Sequence, residues 1–324
     1  MLYKLAGLMT IEEAESYDIS SFDEDRFNLL NRCCTFGLAL NFCRFGIAFM
    51  ICLFGHMTSF LFNISLPLQI IIFNPIIHIG LCLLLFGRET KRWHNLNTKI
   101  HNEYMTRILT SIFGECRLTT DKITNYDMWR TRKVLPYGNR QYNGKNLICK
   151  DFTLEQWRIK DVSKNSKGET KIVKRFEGYI LNKTSKINIS KPVRIITSKK
   201  NMGIEMKDSF PGRSDIESKV DVENIKFNNE FEVYTESPQD AFYVISPYVT
   251  EQLLHLKTLC RDFQCVVTNN NIYLAVDTGT LPLQGMIVLK EGQTSKDTEI
   301  FRRLSEINKI ATDISIYLTG GIIQ

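Results

Sequence analysis

FGIAFMICLFGHMTSFLFNISLPLQIIIFNPIIHIGLCLLLF, residues 45–86, contains no Asp, Glu, Lys or Arg. A helix of about 20 apolar residues crosses a bilayer core, because only a helix satisfies its own backbone where water is absent. Two such spans fit the stretch, Phe45 to Ile64 and Leu68 to Phe86, with Asn63, Ser65 and Pro67 marking a tight turn between them. The soluble alternative is a buried helical hairpin. It would have to hide the whole uncharged stretch inside the core of a 324-residue chain, so the transmembrane hairpin is preferred.

The flanks set the orientation. Arg26, Arg32 and Arg44 precede the first span, Arg88, Lys91, Arg92, Lys99 and Arg107 follow the second, and the turn carries no basic residue. Basic residues near helix ends stay on the cytoplasmic side, which predicts cytoplasmic termini and, for a bacterial chain, the inner membrane. The nine cysteines form no framework of regular spacings and suit a reducing compartment. The start, MLYKLAGLM, has too short an apolar part for a cleaved signal peptide.

Charge divides the chain further. Residues 1–31 hold seven acidic groups, residues 88–150 hold thirteen Lys and Arg against five acids, and residues 151–324 are nearly balanced. The net charge of +6 therefore belongs to the segment that follows the spans. Its Arg88, Lys91, Arg92 and Lys99 are candidate contacts for an anionic lipid surface, each gaining about 1 kcal/mol there. Nucleic acid is the less favoured partner, because the domain beyond is close to neutral.

Local patterns complete the organisation. Thr10 to Glu13 and Ser21 to Glu24 are capping-box patterns in an acidic segment, 1–44. Trp93, Leu96, Ile100, Tyr104, Ile108 and Ile112 mark an amphipathic helix to about Phe113, within a basic juxtamembrane segment and linker, 88–125. From about Tyr126, runs such as LICKDFTLEQWRI, TKIVKRFEGYIL, KPVRIIT and FEVY predict antiparallel strands, and residues 199–219 read as a surface loop without fixed structure. Ser246-Pro247 opens a helix striped by Val249, Leu253, Leu256, Cys260 and Phe263. CVVTNNNIYLAV reads as two strands around an Asn-rich turn. Ile300, Leu304, Ile307, Ala311, Ile314 and Leu318 stripe a last helix that stops at Gly320-Gly321. That stripe suits packing on the domain's own sheet better than a coiled coil between two copies. The expected fold is α+β: a hairpin at 45–86, then a cytoplasmic domain, 126–324, whose antiparallel sheet is covered by helices.

FEGYI at 176–180, FNNEFEVYTESPQDAFYVISP at 227–247, LLHL at 253–256 and IYLAV at 272–276 together resemble the bacterial family called domain of unknown function 3137. The resemblance runs over roughly residues 90–320 and is most specific at 227–247. It implies two membrane spans ahead of the domain and carries no catalytic residue with it. Phe227, Phe231 and Val233 read as one face of a strand, with Ala241 and Tyr243 facing a core.

Candidate chemistry is thin. Asp277-Thr278-Gly279 is the tripeptide of aspartic proteases, but such an enzyme needs two facing carboxylates, and a single chain needs two such turns. Here Asp277 reads as a turn residue. His94 and His101, seven apart on one helix, are separated by about 10 Å of rise and cannot share a zinc ion. His56 and His78 lie within the spans as a candidate intramembrane polar pair. No metal, cofactor or catalytic set is expected. The function that follows is a membrane-tethered, non-catalytic binding or scaffolding module with a protein partner. A membrane-surface hydrolase or transferase is the alternative.

Overall fold

The structure is a computed structural model, and it describes residues 8–16, 24–61, 75–164, 168–198, 210–260, 262–281, 283 and 294–321. The chain forms two compact units, one over Met1–Ile108 and the other over Leu109–Ile287 with Glu291–Gln324.

In the first unit, the short helix α1 (Ile11–Ser16) is followed by two long ones, α2 (Glu24–Leu61) and α3 (Pro75–Phe113). The capping box at the start of α1 is formed: Glu13 Oε2 accepts the Thr10 N–H at 2.7 Å, and the Thr10 hydroxyl accepts the Glu13 N–H at 3.4 Å. The second capping pattern, starting at Ser21, lies outside the described residues. Among the described residues one segment, Leu29–Ile51, is long and apolar enough to cross a membrane, and only 17% of it is buried. It overlaps the first part of the expected span Phe45 to Ile64, whose last residues lie outside the described ones. The turn at 63–67 and the start of the expected second span lie outside the described residues. The amphipathic helix after that span ends at Phe113 as its periodicity predicts, with Trp93, Leu96, Ile100 and Tyr104 buried.

The second unit is α+β. Its strands are β1 (Cys116–Thr119), β2 (Arg140–Asn143), β3 (Asn146–Cys149), β4 (Phe152–Lys164), β5 (Thr170–Thr184), β6 (Val193–Thr197), β7 (Ser218–Val220), β8 (Phe231–Thr235), β9 (Asp262–Val267) and β10 (Asn271–Asp277). They form one antiparallel sheet in the order β1-β3-β4-β5-β10-β9-β6-β8-β7, with β2 also on β4. The helices are α4 (Tyr126–Thr131), α5 (Ile225–Glu230), α6 (Pro238–Val244), α7 (Pro247–Leu259) and α8 (Thr294–Leu318).

Strand alternation assigns the two faces. On one, Trp157, Ile159, Phe176, Ile180, Tyr273 and Ala275 form a core with Tyr126 and Trp129 of α4, together with Val134, Leu135 and Phe210. The other lies under α5 to α8, where Phe231 packs between Phe227 and Phe263 with ring centroids 4.8 and 5.5 Å away. Ser237 and Ser246 cap α6 and α7, each followed by proline at the first helical position. The stripe of α8 is buried within the domain at Leu304, Ile307, Ala311, Ile314 and Leu318, and the helix packs on α7, β5 and β10.

Several local expectations need correction. The stripe expected to continue to Phe263 ends with α7 at Leu259, where Cys260 is the C-cap, and Phe263 lies on β9. Tyr126 begins a helix rather than a strand, because Asn125 caps it and the aromatic pair Tyr126 and Trp129 faces the sheet at helical spacing. Phe227 belongs to α5, capped by Asn224, so its alternation with Phe231 joins a helix to a strand. In the expected loop 199–219, the described part is structured: Phe210 is buried and β7 starts at Ser218.

Candidate functional site

The first unit holds the basic candidates. Arg88, Lys91 and Lys99 are exposed on α3. Arg92 is committed within the chain: it bonds Glu15 Oε2 at 2.6 Å and Glu12 Oε1 at 3.3 Å on α1. The hydrogen bond from Arg92 holds the Glu15 carboxyl below its usual range. Nothing in the sequence marks this pairing, since the partners stand 77 and 80 positions apart. Between α2 and α3, Arg44 bonds Glu89 at 3.2 Å and Asn41 donates to the Thr90 hydroxyl at 3.3 Å. Beside these bridges lies a largely apolar cleft of about 470 Å³, lined by Phe42, Phe45 and Phe86 with Gly87, and carrying Lys91 and His94. The side chains of His56 and His78 lie outside the described residues.

In the second unit, Asp277 closes β10 as a turn residue. Its Oδ1 accepts the Gly279 N–H at 3.0 Å, and Gly279 takes φ +71°, which a side chain would strain. The Thr278 N–H donates to Glu177 O at 3.1 Å, and Lys174 Nζ donates to Gly279 O at 2.9 Å. Gly178 faces Asp277 across β5, and a Cβ there would stand 1.9 Å from Val276 O, so only glycine fits. On the other side Asp277 faces Asp262 of β9 in register. Burial, with Asp262 adding to it, pushes the Asp277 carboxyl up. The second carboxylate comes from strand register rather than from a second motif, so inspecting motifs cannot find it. Each acid has its own donor, Asp262 from the Thr197 hydroxyl and Asp277 from Gly279.

Two buried charged groups fasten segments to the sheet. Glu155, 1% exposed, accepts the indole N–H of Trp129 at 3.4 Å and of Trp157 at 3.3 Å, and burial raises its carboxyl. This contact holds α4 in place. Arg194, 2% exposed, bonds Glu217 at 2.8 and 2.9 Å and the carbonyls of Pro211 and Gly212 at 3.0 and 2.8 Å. Burial works against the Glu217 charge, but Arg194, the Ser214 N–H and Lys133 outweigh it and bring the carboxyl to about 2. The Arg194 guanidinium, the Glu217 carboxylate and Glu155 Oε2 are thereby engaged within the fold.

The helical layer presents aromatic groups outward. Tyr243, expected in the core, is 49% exposed, and its hydroxyl donates to Leu318 O at 3.0 Å. A seven-residue helix cannot bury three consecutive positions, and Ala241 and Val244 take the core side. Tyr248 stacks on Tyr317 with centroids 4.9 Å apart, and Phe242 is exposed beside Tyr243. Tyr243, Tyr248 and Tyr317 thus gather at the end of α8, held by α6 and α7.

An α+β domain with a large antiparallel sheet, helices on one face and a short helix on the other, is the class this architecture defines. The family described as "Protein of unknown function (DUF3137)" matches residues 156–316, from β4 through most of α8. No curated protein matches the chain. Among solved structures, the crystal structure of the mycobacterial trehalose monomycolate transport factor A, TtfA, is 9% identical. The match covers 52% of this chain and 78% of that one, with a TM-score of 0.24, below the level of a shared fold.

Proposed function

We propose that this chain is a membrane-tethered, non-catalytic binding module of the bacterial inner membrane. Two spans anchor it, α2 and the 68–86 segment, with both termini cytoplasmic, and the domain is presented to a protein partner. One observation carries the anchor. Phe42 is 71% exposed on α2, and Ile47, Met50, Ile51 and Phe54 are comparably open, whereas the apolar helix of a soluble core would be covered. A bilayer supplies the missing cover. Arg88, Lys91 and Lys99 then meet anionic lipid at the inner surface, while Arg92 stays with α1. The fixed tyrosines at the end of α8, with Phe242, are the docking face, since rigid aromatic groups make effective interface anchors.

The anchor is tested by Ile47→Lys with Ile51→Lys. Both positions are exposed, so no packing is lost, while two added charges interrupt the apolar stretch; a lysine costs up to about 3 kcal/mol at a bilayer's centre and less toward the ends of a span. Alkaline extraction should leave the unmodified chain in the membrane pellet and release the double variant. Equal retention of the two refutes the anchor. For the docking face, a photo-crosslinker at Phe242 should capture a protein in cells, and Tyr317→Ser should abolish the adduct without lowering the melting temperature.

A further inference from the structure

Among the described cysteines, the fold brings one pair into direct opposition. Cys116 opens β1 and Cys149 closes β3, and the two face each other in the antiparallel register although 33 positions separate them in sequence. Facing residues of an antiparallel pair have Cα atoms about 4.5–5.5 Å apart, within the roughly 4.4–6.8 Å that a disulfide spans. Both stand at strand ends, where the backbone can adjust to the bond. Both are partly exposed, so a reagent reaches them, whereas Cys33, Cys34, Cys260 and Cys265 are buried. The Thr110 hydroxyl lies 3.5 Å from Cys116 Sγ, placed to donate to a thiolate there.

We propose that Cys116 and Cys149 are a redox-active pair that closes to a disulfide and latches edge strand β1 to β3. The oxidant is a low-molecular-weight disulfide, RSSR. The Cys116 thiolate attacks one of its sulfurs, forming a mixed disulfide and expelling RS⁻. Cys149 then loses its proton to solvent and attacks Cys116 Sγ, forming the internal S–S bond and expelling the second RS⁻. Two thiols are oxidised by two electrons, and RSSR becomes two RSH once the thiolates regain the two protons. Burial, with Cys116 and Asp151 adding to it, holds the Cys149 thiol up at about 12, so Cys116 is the attacking group and Cys149 the resolving one. The latch acts where it has most effect. β1 is four residues long, lies at the outer edge of the sheet and pairs with β3, and it is the first strand after α3. In the dithiol state hydrogen bonds to β3 hold it; in the disulfide state it is tethered covalently.

The full-length chain in detergent is equilibrated with mixtures of oxidised and reduced glutathione, blocked with N-ethylmaleimide, digested and mapped by mass spectrometry. The expected product is one linked peptide pair joining Cys116 to Cys149, short of two hydrogens and reversed by dithiothreitol. The oxidised chain should melt several degrees higher than the reduced one, because the bond closes a loop in the unfolded chain. Cys116→Ser and Cys149→Ser should each remove both effects. Four results overturn the proposal: both thiols alkylated across the whole glutathione range, a glutathione adduct that persists on Cys116 beside a free Cys149, either cysteine linked to a different partner, or a linked form that melts lower.

Discussion

Replacing Glu217 by Gln removes the charge that faces buried Arg194 while keeping the side chain's size. A carboxyl held at about 2 rather than 4.5 is stabilised in its charged form by about 3 kcal/mol, at about 1.4 kcal/mol per pH unit. Breaking a buried pair from one side costs about 3–5 kcal/mol in general, because the remaining charge stays desolvated, so the two routes to the magnitude agree. The sign with pH follows from the depressed value. The unfolded carboxyl keeps its proton below about 4.5 and the folded one only below about 2, so the stabilisation is present above 4.5 and is lost as pH falls toward 2. Trp129 and Trp157 lie in the core of the same unit, and their fluorescence reports its urea unfolding in the full-length chain. At pH 7 Glu217→Gln should unfold with about 3 kcal/mol less stability than the unmodified chain, and the gap should close progressively between pH 4.5 and 2. Other carboxylates titrate equally in both proteins and cancel in the difference. A gap under about 1 kcal/mol at pH 7, or one that does not change with acid, refutes the account of Arg194 and Glu217 as the clamp on residues 210–217.

Leu304, buried 2% exposed in α8 against the sheet and α7, should cost about 2–5 kcal/mol when replaced by Ala, with no change in sedimentation; an unchanged melting temperature with a dimer-to-monomer shift would place the stripe between two copies instead. Asp277→Asn keeps the acceptor for the Gly279 N–H and relieves repulsion from Asp262, so thermal melting should register no loss beyond about 1 kcal/mol. A peptide-cleaving activity lost on that substitution would contradict its reading as a turn. Peptide mapping after a membrane-impermeant maleimide is applied to intact cells should find Cys149 unlabelled, as a cytoplasmic domain requires.

The residues of this chain determine its local structure closely. The stripe from Leu304 to Leu318 had one buried face available and found it, Ser246-Pro247 opened α7, and Asp277-Thr278-Gly279 made the turn that its short polar side chain and glycine favour. Helix and strand periods, caps and turns depend on neighbours within a few positions, which is why these features were legible. The apolar stretch likewise agrees in part with a helical segment, Leu29–Ile51, that is long and apolar enough to cross a membrane. Tertiary structure alone decided which distant residues meet. Arg92 meets Glu12 and Glu15 only because α1 brings them to it; Asp262 became the neighbour of Asp277, and Cys116 of Cys149, only through strand register. Residues 210–217 looked like loop because their order comes from Arg194, a residue on another strand. A one-residue shift in pairing would send every one of those side chains to the opposite face, and register is set by the packing of the whole sheet rather than by any stretch within it.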